Sequence, residues 1–140
     1  MLRTRVIQQR RIAVALSGGV DSSVAAHLLQ QSQPTAVLQG VHIKCWNHED
    51  SGSACSYEED LKDAQSAADR LKIPLSIVDL TAEYWHTVWT PSLATWQGGH
   101  TPNPDVLCNS EIKFRALLCV LAERFGTREL ATVLWPIVHK

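Results

Sequence analysis

The stretch Ile12-Ala13-Val14-Ala15-Leu16-Ser17-Gly18-Gly19-Val20-Asp21-Ser22-Ser23 decides the fold. Five apolar residues run unbroken from Ile12 to Leu16 and end in Ser-Gly-Gly. An uninterrupted run of that length reads as a strand buried on both faces, the habit of parallel sheets. Val20, Val24, Ala25, Leu28 and Leu29 then recur at helical spacing, so a helix follows at once, with these residues as its expected apolar face.

Working outward, the same alternation repeats. Val37 to Ile43 predicts a second strand, slightly weakened by Gly40. Trp46 to Ser56 is polar and reads as a loop. Leu61, Ala64, Ala68 and Leu71 form one face of a second helix, which Pro74 ends. Leu75 to Leu80 predicts a third strand. Tyr84, Trp85, Val88 and Trp89 suggest a short aromatic helix broken near Pro91. Gln97 to Pro104, with two glycines and two prolines, reads as a loop. Ile112, Ala116, Leu117, Val120 and Leu121 mark a further helix, and Leu130 to Leu134 a fourth strand. The alternation predicts an α/β fold: a doubly wound, mostly parallel sheet with helices on both faces.

The chain has 140 residues, one domain's worth, with 45% hydrophobic and 19% charged side chains. Such a composition excludes wholesale disorder, collagen and a long coiled coil. No apolar stretch reaches the roughly 18 residues of a membrane span. A formal net charge of −1 argues against a protein that coats nucleic acid, though not against a local basic patch.

Cys45, Cys55, Cys108 and Cys119 form no CxxC pair, so neither a zinc ribbon nor a thioredoxin site is expected. With no secretory signal, they point to a reducing compartment. Cys45 and Cys119 are expected to be buried and Cys55 exposed. Trp85, Trp89 and Trp96 are expected to pack in the core or a lid, and His27 and His42 to be structural. His48, Glu49 and Asp50 read as a solvated loop rather than a metal site. Arg3, Arg5, Arg10 and Arg11 precede the first acid, Asp21. An arginine-rich, acid-free start has the look of a mitochondrial transit segment; a solvated basic tail over residues 1–10 is the other reading.

The segment Ser17 to Ser23 joins strand to helix, and ligands of such sheets bind beyond the carboxyl ends of the strands. Two glycines let backbone approach an anion. The helix N-terminus offers free N–H groups and a favourable dipole to phosphate. Asp21 does not favour bare phosphate, so magnesium or loop orientation is its expected work. Neither the Walker lysine nor the G-x-G-x-x-G fingerprint is present. A tight turn that merely caps a helix is the plainer alternative.

A second segment is more particular: Gly99-His100-Thr101-Pro102-Asn103-Pro104-Asp105-Val106-Leu107-Cys108-Asn109. Two prolines stiffen the backbone that presents Asn103 and Asp105. Asp105 and Asn109 are candidate caps for a helix starting here, with Cys108 in or beside its first turn. A helix N-terminus and the nearby Lys113 would favour the thiolate. From spacing alone, a reactive thiol and an inert cysteine in a capped helix stand equal.

The glycine loop resembles the SGGxDS signature of the PP-loop ATP pyrophosphatases. The run TPNPDVLCN with Glu111-Ile112-Lys113-Phe114 resembles the tRNA-specific 2-thiouridylases. Gly40 to Trp46, Cys55, Asp60 to Ala64 and Glu83-Tyr84-Trp85 resemble the same family in order, over residues 11 to about 132. The resemblance implies that ATP adenylates the C2 oxygen of a wobble uridine in tRNA. A persulfide sulfur then replaces that oxygen, and AMP leaves. It also implies ATP with magnesium as cofactors, and as partners tRNA and a persulfide donor or relay protein, with no membrane. By similarity Ala15, Leu16, Ser17, Gly18, Gly19, Val20, Asp21, Ser22 and Ile43 bind ATP, Asp21 with the metal. Asn103, Pro104 and Asp105 contact the target base, and Asp105 takes its N3 proton. Cys108 matches the first catalytic cysteine.

The chain also departs from the family. His100 stands where an arginine is usual. After Ala131-Thr132 the family continues Gly-His-Tyr, whereas this chain reads Val133-Leu134-Trp135. The downstream persulfide-carrying cysteine has no counterpart. The expected division is a basic tail over 1–10 and a truncated PP-loop domain over 11–140, divergent from 133. The expected function is tRNA 2-thiolation by an incomplete copy; the alternative is a non-catalytic remnant that binds ATP or tRNA. The expected compartment is the mitochondrion, or the cytoplasm if the source is bacterial.

Overall fold

The computed structural model describes residues 9–46 and 56–133. Four strands form one sheet in the order β3-β2-β1-β4, all parallel. They are β1 (Arg11–Ala15), β2 (Val37–Lys44), β3 (Leu75–Asp79) and β4 (Leu130–Ala131). Helix α1 (Val20–Ser32) connects β1 to β2, and α2 (Ser56–Leu71) precedes β3. After β3 the chain is helical through α3 (Thr81–Tyr84), a π-helical turn Trp85–Trp89 and α4 (Thr90–Gln97). A second helical stretch runs through α5 (Pro104–Leu107), a π-helical segment Cys108–Ala116 and α6 (Leu117–Phe125).

Alternation along the strands builds two cores. Ile12, Val14, Leu16 and Leu38 join Ala26, Ala64 and Ala68 of α1 and α2 on one face. Ala13, Val41 and Val78 join Val88, Ile112, Leu117 and Leu121 on the other. Successive side chains of a strand point to opposite faces, so a strand covered on both sides needs an unbroken apolar run. The α/β doubly wound reading is therefore correct, and helices do cover both faces.

Several local expectations are corrected. The face of α1 that meets the sheet carries Ser22 and Ala26, with Leu29 beside them. Val20, Val24 and Leu28 are 77%, 49% and 56% exposed. Small residues allow α1 close to β1, and loop hydrogen bonds through Ser22 fix its rotation. Pro91 does not break the helix. It follows the π-helical turn, where the Thr90 N–H reaches back to the Trp85 carbonyl; this wider spacing lets the helix continue past a residue without an N–H. Strand β4 is only two residues long; Thr132 and Val133 lie outside it, and Leu134 is outside the described residues. Cys119 is exposed and Cys45 only partly buried. Trp85 and Trp96 are 47% and 68% exposed, so neither is core. Cys55 and the His48-Glu49-Asp50 triplet lie outside the described residues.

Gly40, expected to weaken β2, instead admits a close neighbour. A Cβ there would stand 3.0 Å from the Pro74 carbonyl oxygen, and the Gly40 N–H donates to that same oxygen at 2.8 Å. At the opposite edge, the Thr127 hydroxyl donates to the Arg11 carbonyl at 2.6 Å and accepts from the Glu129 N–H at 3.1 Å. Thr127 thereby pins the approach to β4 against β1.

Candidate active site

The loop after β1 is organised by its own hydroxyls. Ser22 Oγ donates to the Gly19 carbonyl at 3.0 Å and accepts from the Ser17 N–H at 3.3 Å and the Ser17 hydroxyl at 3.1 Å. Ser23 Oγ donates to the same carbonyl at 3.0 Å. No side chain caps α1 at Gly19. The first-turn N–H groups of α1 therefore lack a side-chain acceptor, the arrangement that receives anions. Gly18 takes a φ of +92°, and a Cβ on it would meet the Asp60 carbonyl oxygen at 2.5 Å. Glycine is required there on both counts.

This loop forms one wall of a cavity of about 610 Å³ at the carboxyl ends of the strands. Ala15, Leu16, Ser17, Gly19, Val20, Asp21 and Ser22 line it. Ile43 and Cys45 come from β2 and the residue just beyond it, Tyr57 and Asp60 from α2. Cys108, Ile112 and Lys113 close the opposite side. The structure thus gathers the loop, Ile43 and Cys108 around one space. Gly18 is absent from the lining because it faces α2. Asn103, Pro104 and Asp105 also lie outside the lining, at the start of the helical stretch that carries Cys108.

Asn103, rather than Asp105 or Asn109, caps that stretch: its side-chain oxygen accepts from the Val106 N–H at 3.4 Å, and Pro104 takes the first helical position. Cys108 sits after the first turn, where the π-helical segment begins. Its pKa is lowered to about 7, first by a hydrogen bond from the Cys45 thiol and then by the charge of Lys113. Burial and the Asp105 carboxylate oppose this. The neighbouring thiol therefore outweighs Lys113 in favouring the thiolate. The Cys45 pKa is pushed up, first by donating that hydrogen bond, then by burial and the Cys108 charge. The Tyr84 phenol is also raised, by burial first and the Cys108 charge second.

Lys113 lines the same cavity as Cys108 because of the backbone. Five residues on in a regular α-helix, a side chain points about 140° away; an i→i+5 turn brings it round. His42, expected to be structural, is buried with Nδ1 at 2.7 Å from the Leu16 carbonyl oxygen, so it braces β2 against the loop. Sequence reasoning missed Cys45, Tyr57 and Asp60 as cavity residues. Cys45 carried one signal: it follows a strand at its carboxyl end, where α/β sheets bind ligands.

The donor set suits a metal carried by phosphates. Asp21 and Asp60 line the same cavity. Among the described residues no cluster of three His, Cys, Asp or Glu side chains forms a protein cage. Magnesium commonly takes one or two carboxylates and completes its shell with phosphate oxygens and water.

A family model described as tRNA methyl transferase HUP domain matches residues 10–135. The tRNA-specific 2-thiouridylase MnmA of Psychromonas ingrahamii is 46% identical over 124 residues, which are 89% of this chain and 33% of that protein. The protein of the same name from Tolumonas auensis is 48% identical over 124 residues, again 89% and 33%. This chain spans about a third of the length of these curated relatives. A solved structure titled as a predicted subunit of tRNA methyltransferase from Methanocaldococcus jannaschii superposes with a TM-score of 0.58 at 20% identity. It covers 94% of this chain and 57% of that one, and the likeness extends to the fold alone.

Proposed function

The chain belongs to the tRNA methyl transferase HUP domain family, and from that membership we propose that it forms the ATP-binding, base-activating part of a tRNA-uridine 2-sulfurtransferase. One observation carries the reading: the glycine loop, Ile43 and Cys108 line a single cavity. The tRNA-specific 2-thiouridylases 46% and 48% identical to it supply the substrate class.

In this reading the first turn of α1 and the Ser17 and Ser22 hydroxyls receive the ATP phosphates, and Ile43 packs on the adenosine. Asp21, with Asp60 on the same cavity, would hold magnesium, whose charge would favour pyrophosphate as the leaving group. The C2 oxygen of a wobble uridine attacks the α-phosphorus. The bond to the β-phosphate oxygen breaks, and pyrophosphate leaves. Asn103, Pro104 and Asp105 hold the extruded base, and Asp105 takes the N3 proton. A nucleobase is unreachable inside its stack, so it must be flipped to this site. The terminal sulfur of a persulfide on a donor or relay protein then attacks C2, and AMP departs with the former oxygen. The Cys108 thiolate attacks the inner sulfur, so the S–S bond breaks, sulfur stays on C2 and a disulfide forms between Cys108 and the donor. Cys108, whose thiolate is favoured by the Cys45 thiol and by Lys113, is the residue that handles that sulfur.

The division into a basic tail over 1–10 and a PP-loop domain over 11–140 belongs to the same proposal. Both relatives quoted are bacterial, which favours the cytoplasmic alternative and gives the mitochondrial address no support. Among the described residues, no helix is long and apolar enough to cross a membrane.

The test is the fate of ATP labelled at the α-phosphate, incubated with the chain and an unmodified tRNA transcript. Pyrophosphate release that depends on the transcript, with the label passing to the RNA or to AMP formed from it, is the expected result. ADP as the product, or AMP release indifferent to RNA, would overturn the reading.

A further inference from the structure

Cys45 and Cys108 come from distant parts of the chain, yet they meet on one cavity. Cys45 directly follows β2, and Cys108 opens the π-helical segment after α5. Both pack on the core cluster built around Val41, Val88 and Ile112. Both line the same cavity, both are only partly buried, and both are free. A second thiol beside a reactive thiolate can displace what that thiolate has captured.

We propose that Cys45 is the resolving thiol for Cys108, so that a small disulfide captured by Cys108 is expelled and a Cys45–Cys108 disulfide closes across the cavity.

The steps balance without another reagent. The Cys108 thiolate attacks one sulfur of the small disulfide; a Cys108–SR bond forms, the RS–SR bond breaks, and one thiolate leaves. The Cys45 thiol then gives its proton to solvent or to that thiolate and attacks Cys108 Sγ. The Cys45–Cys108 bond forms, the Cys108–SR bond breaks, and a second thiolate leaves. Two cysteines are oxidised and one small disulfide is reduced to two thiols. The order of attack follows from the electrostatics. Cys108 carries the charge first, because Cys45 donates to it and Lys113 lies near. Capping Cys108 as a mixed disulfide removes its charge and its pull on the Cys45 proton, two of the influences that hold Cys45 protonated beside burial and the Asp79 charge. Cys45 therefore becomes a nucleophile when it is needed, since exchange requires the thiolate. The closed form has no free thiolate in the cavity. The inference needs only the cavity and its two thiols, so its failure leaves the proposed adenylation untouched.

The test uses the whole chain with Cys55→Ser and Cys119→Ser in place, and dithiobisnitrobenzoate as the small disulfide. In this background two coloured thiolates should be released per chain. The intact protein should be lighter by two hydrogens, with no aromatic adduct and with a Cys45–Cys108 peptide on digestion. Adding Cys45→Ser should halve the release and leave the adduct on Cys108. Cys45→Ala should behave as Cys45→Ser does, with far-ultraviolet circular dichroism confirming the fold of each variant. A persistent adduct on Cys108 when Cys45 is present would overturn the proposal. So would labels on both cysteines without a cross-link.

Discussion

A Cβ placed on Gly18 would stand 2.5 Å from the carbonyl oxygen of Asp60, so the glycine loop is seated directly on the first turns of α2. That contact ties the glycine loop to a helix residue 42 positions later in the chain. Gly18→Ala meets both the clash and a φ of +92°. The positive φ alone costs about 1–2 kcal/mol, and the backbone contact adds to it. Gly19, in the extended region and with Ser17 Oγ at 3.5 Å as the nearest atom, accommodates a methyl group. Its replacement by Ala should cost about 1 kcal/mol or less, as for an N-cap position. Urea unfolding of the two variants should separate them in that order; equal losses would contradict the seating.

Ser22 is buried and joined to Ser17 and Gly19 by three hydrogen bonds. Ser22→Ala leaves the Ser17 N–H without its acceptor and should destabilise the fold by about 1–3 kcal/mol. Ser23 makes a single hydroxyl contact, to the Gly19 carbonyl, so Ser23→Ala should lose less. Thermal melts of both, read beside nucleotide titrations, check whether loop order and binding fall together. Nucleotide affinity unchanged in Ser22→Ala would separate the loop's hydroxyl network from its function.

The lowered Cys108 pKa has a sign that can be checked. Alkylation by iodoacetamide follows the thiolate, so its rate at Cys108 should rise through an apparent pKa of about 7 and level off above it. Cys45→Ala removes the largest stabilising influence and should move the midpoint up. Lys113→Met should move it the same way by less, because its charge ranks below the Cys45 hydrogen bond. Asp105→Asn removes an opposing charge and should move the midpoint down. Peptide mass mapping at a series of pH values gives each curve. A midpoint that stays put in Cys45→Ala would refute the assigned cause.

Leu121 is fully buried in the core under β1 and does not line the cavity. Leu121→Ala should cost about 2–5 kcal/mol through lost burial and the space left behind. Nucleotide affinity per folded molecule should be unchanged, which denaturation and titration of the same sample would show.

The strand run Ile12 to Leu16 and the Ser-Gly-Gly after it were legible because both are local: a doubly buried strand must be apolar throughout, and the turn must be glycine. The buried face of α1 was not legible. Val20, Val24 and Leu28 form the more apolar stripe, yet the helix turns Ser22 and Ala26 inward. Rotation is set by loop hydrogen bonds that periodicity does not register. Pro91 misled for a related reason, since a π-helical turn is not written in residue types. The same applies to Lys113, whose closeness to Cys108 depends on i→i+5 spacing. Ile43, Cys108 and most of the loop residues line one cavity, which their places at the carboxyl ends of parallel strands and at helix starts made legible. Cys45 was misjudged because its partner is 63 positions away and only the tertiary fold brings them together.

The account rests on the cavity being a nucleotide site, and calorimetric titration of the chain with ATP and magnesium tests it most directly, run beside Asp21→Ala and Gly18→Ala. Saturable binding that Asp21→Ala and Gly18→Ala each abolish or weaken by at least about tenfold, roughly 1.4 kcal/mol, is the predicted result. A folded chain that takes up no ATP, or binding indifferent to both substitutions, would contradict it.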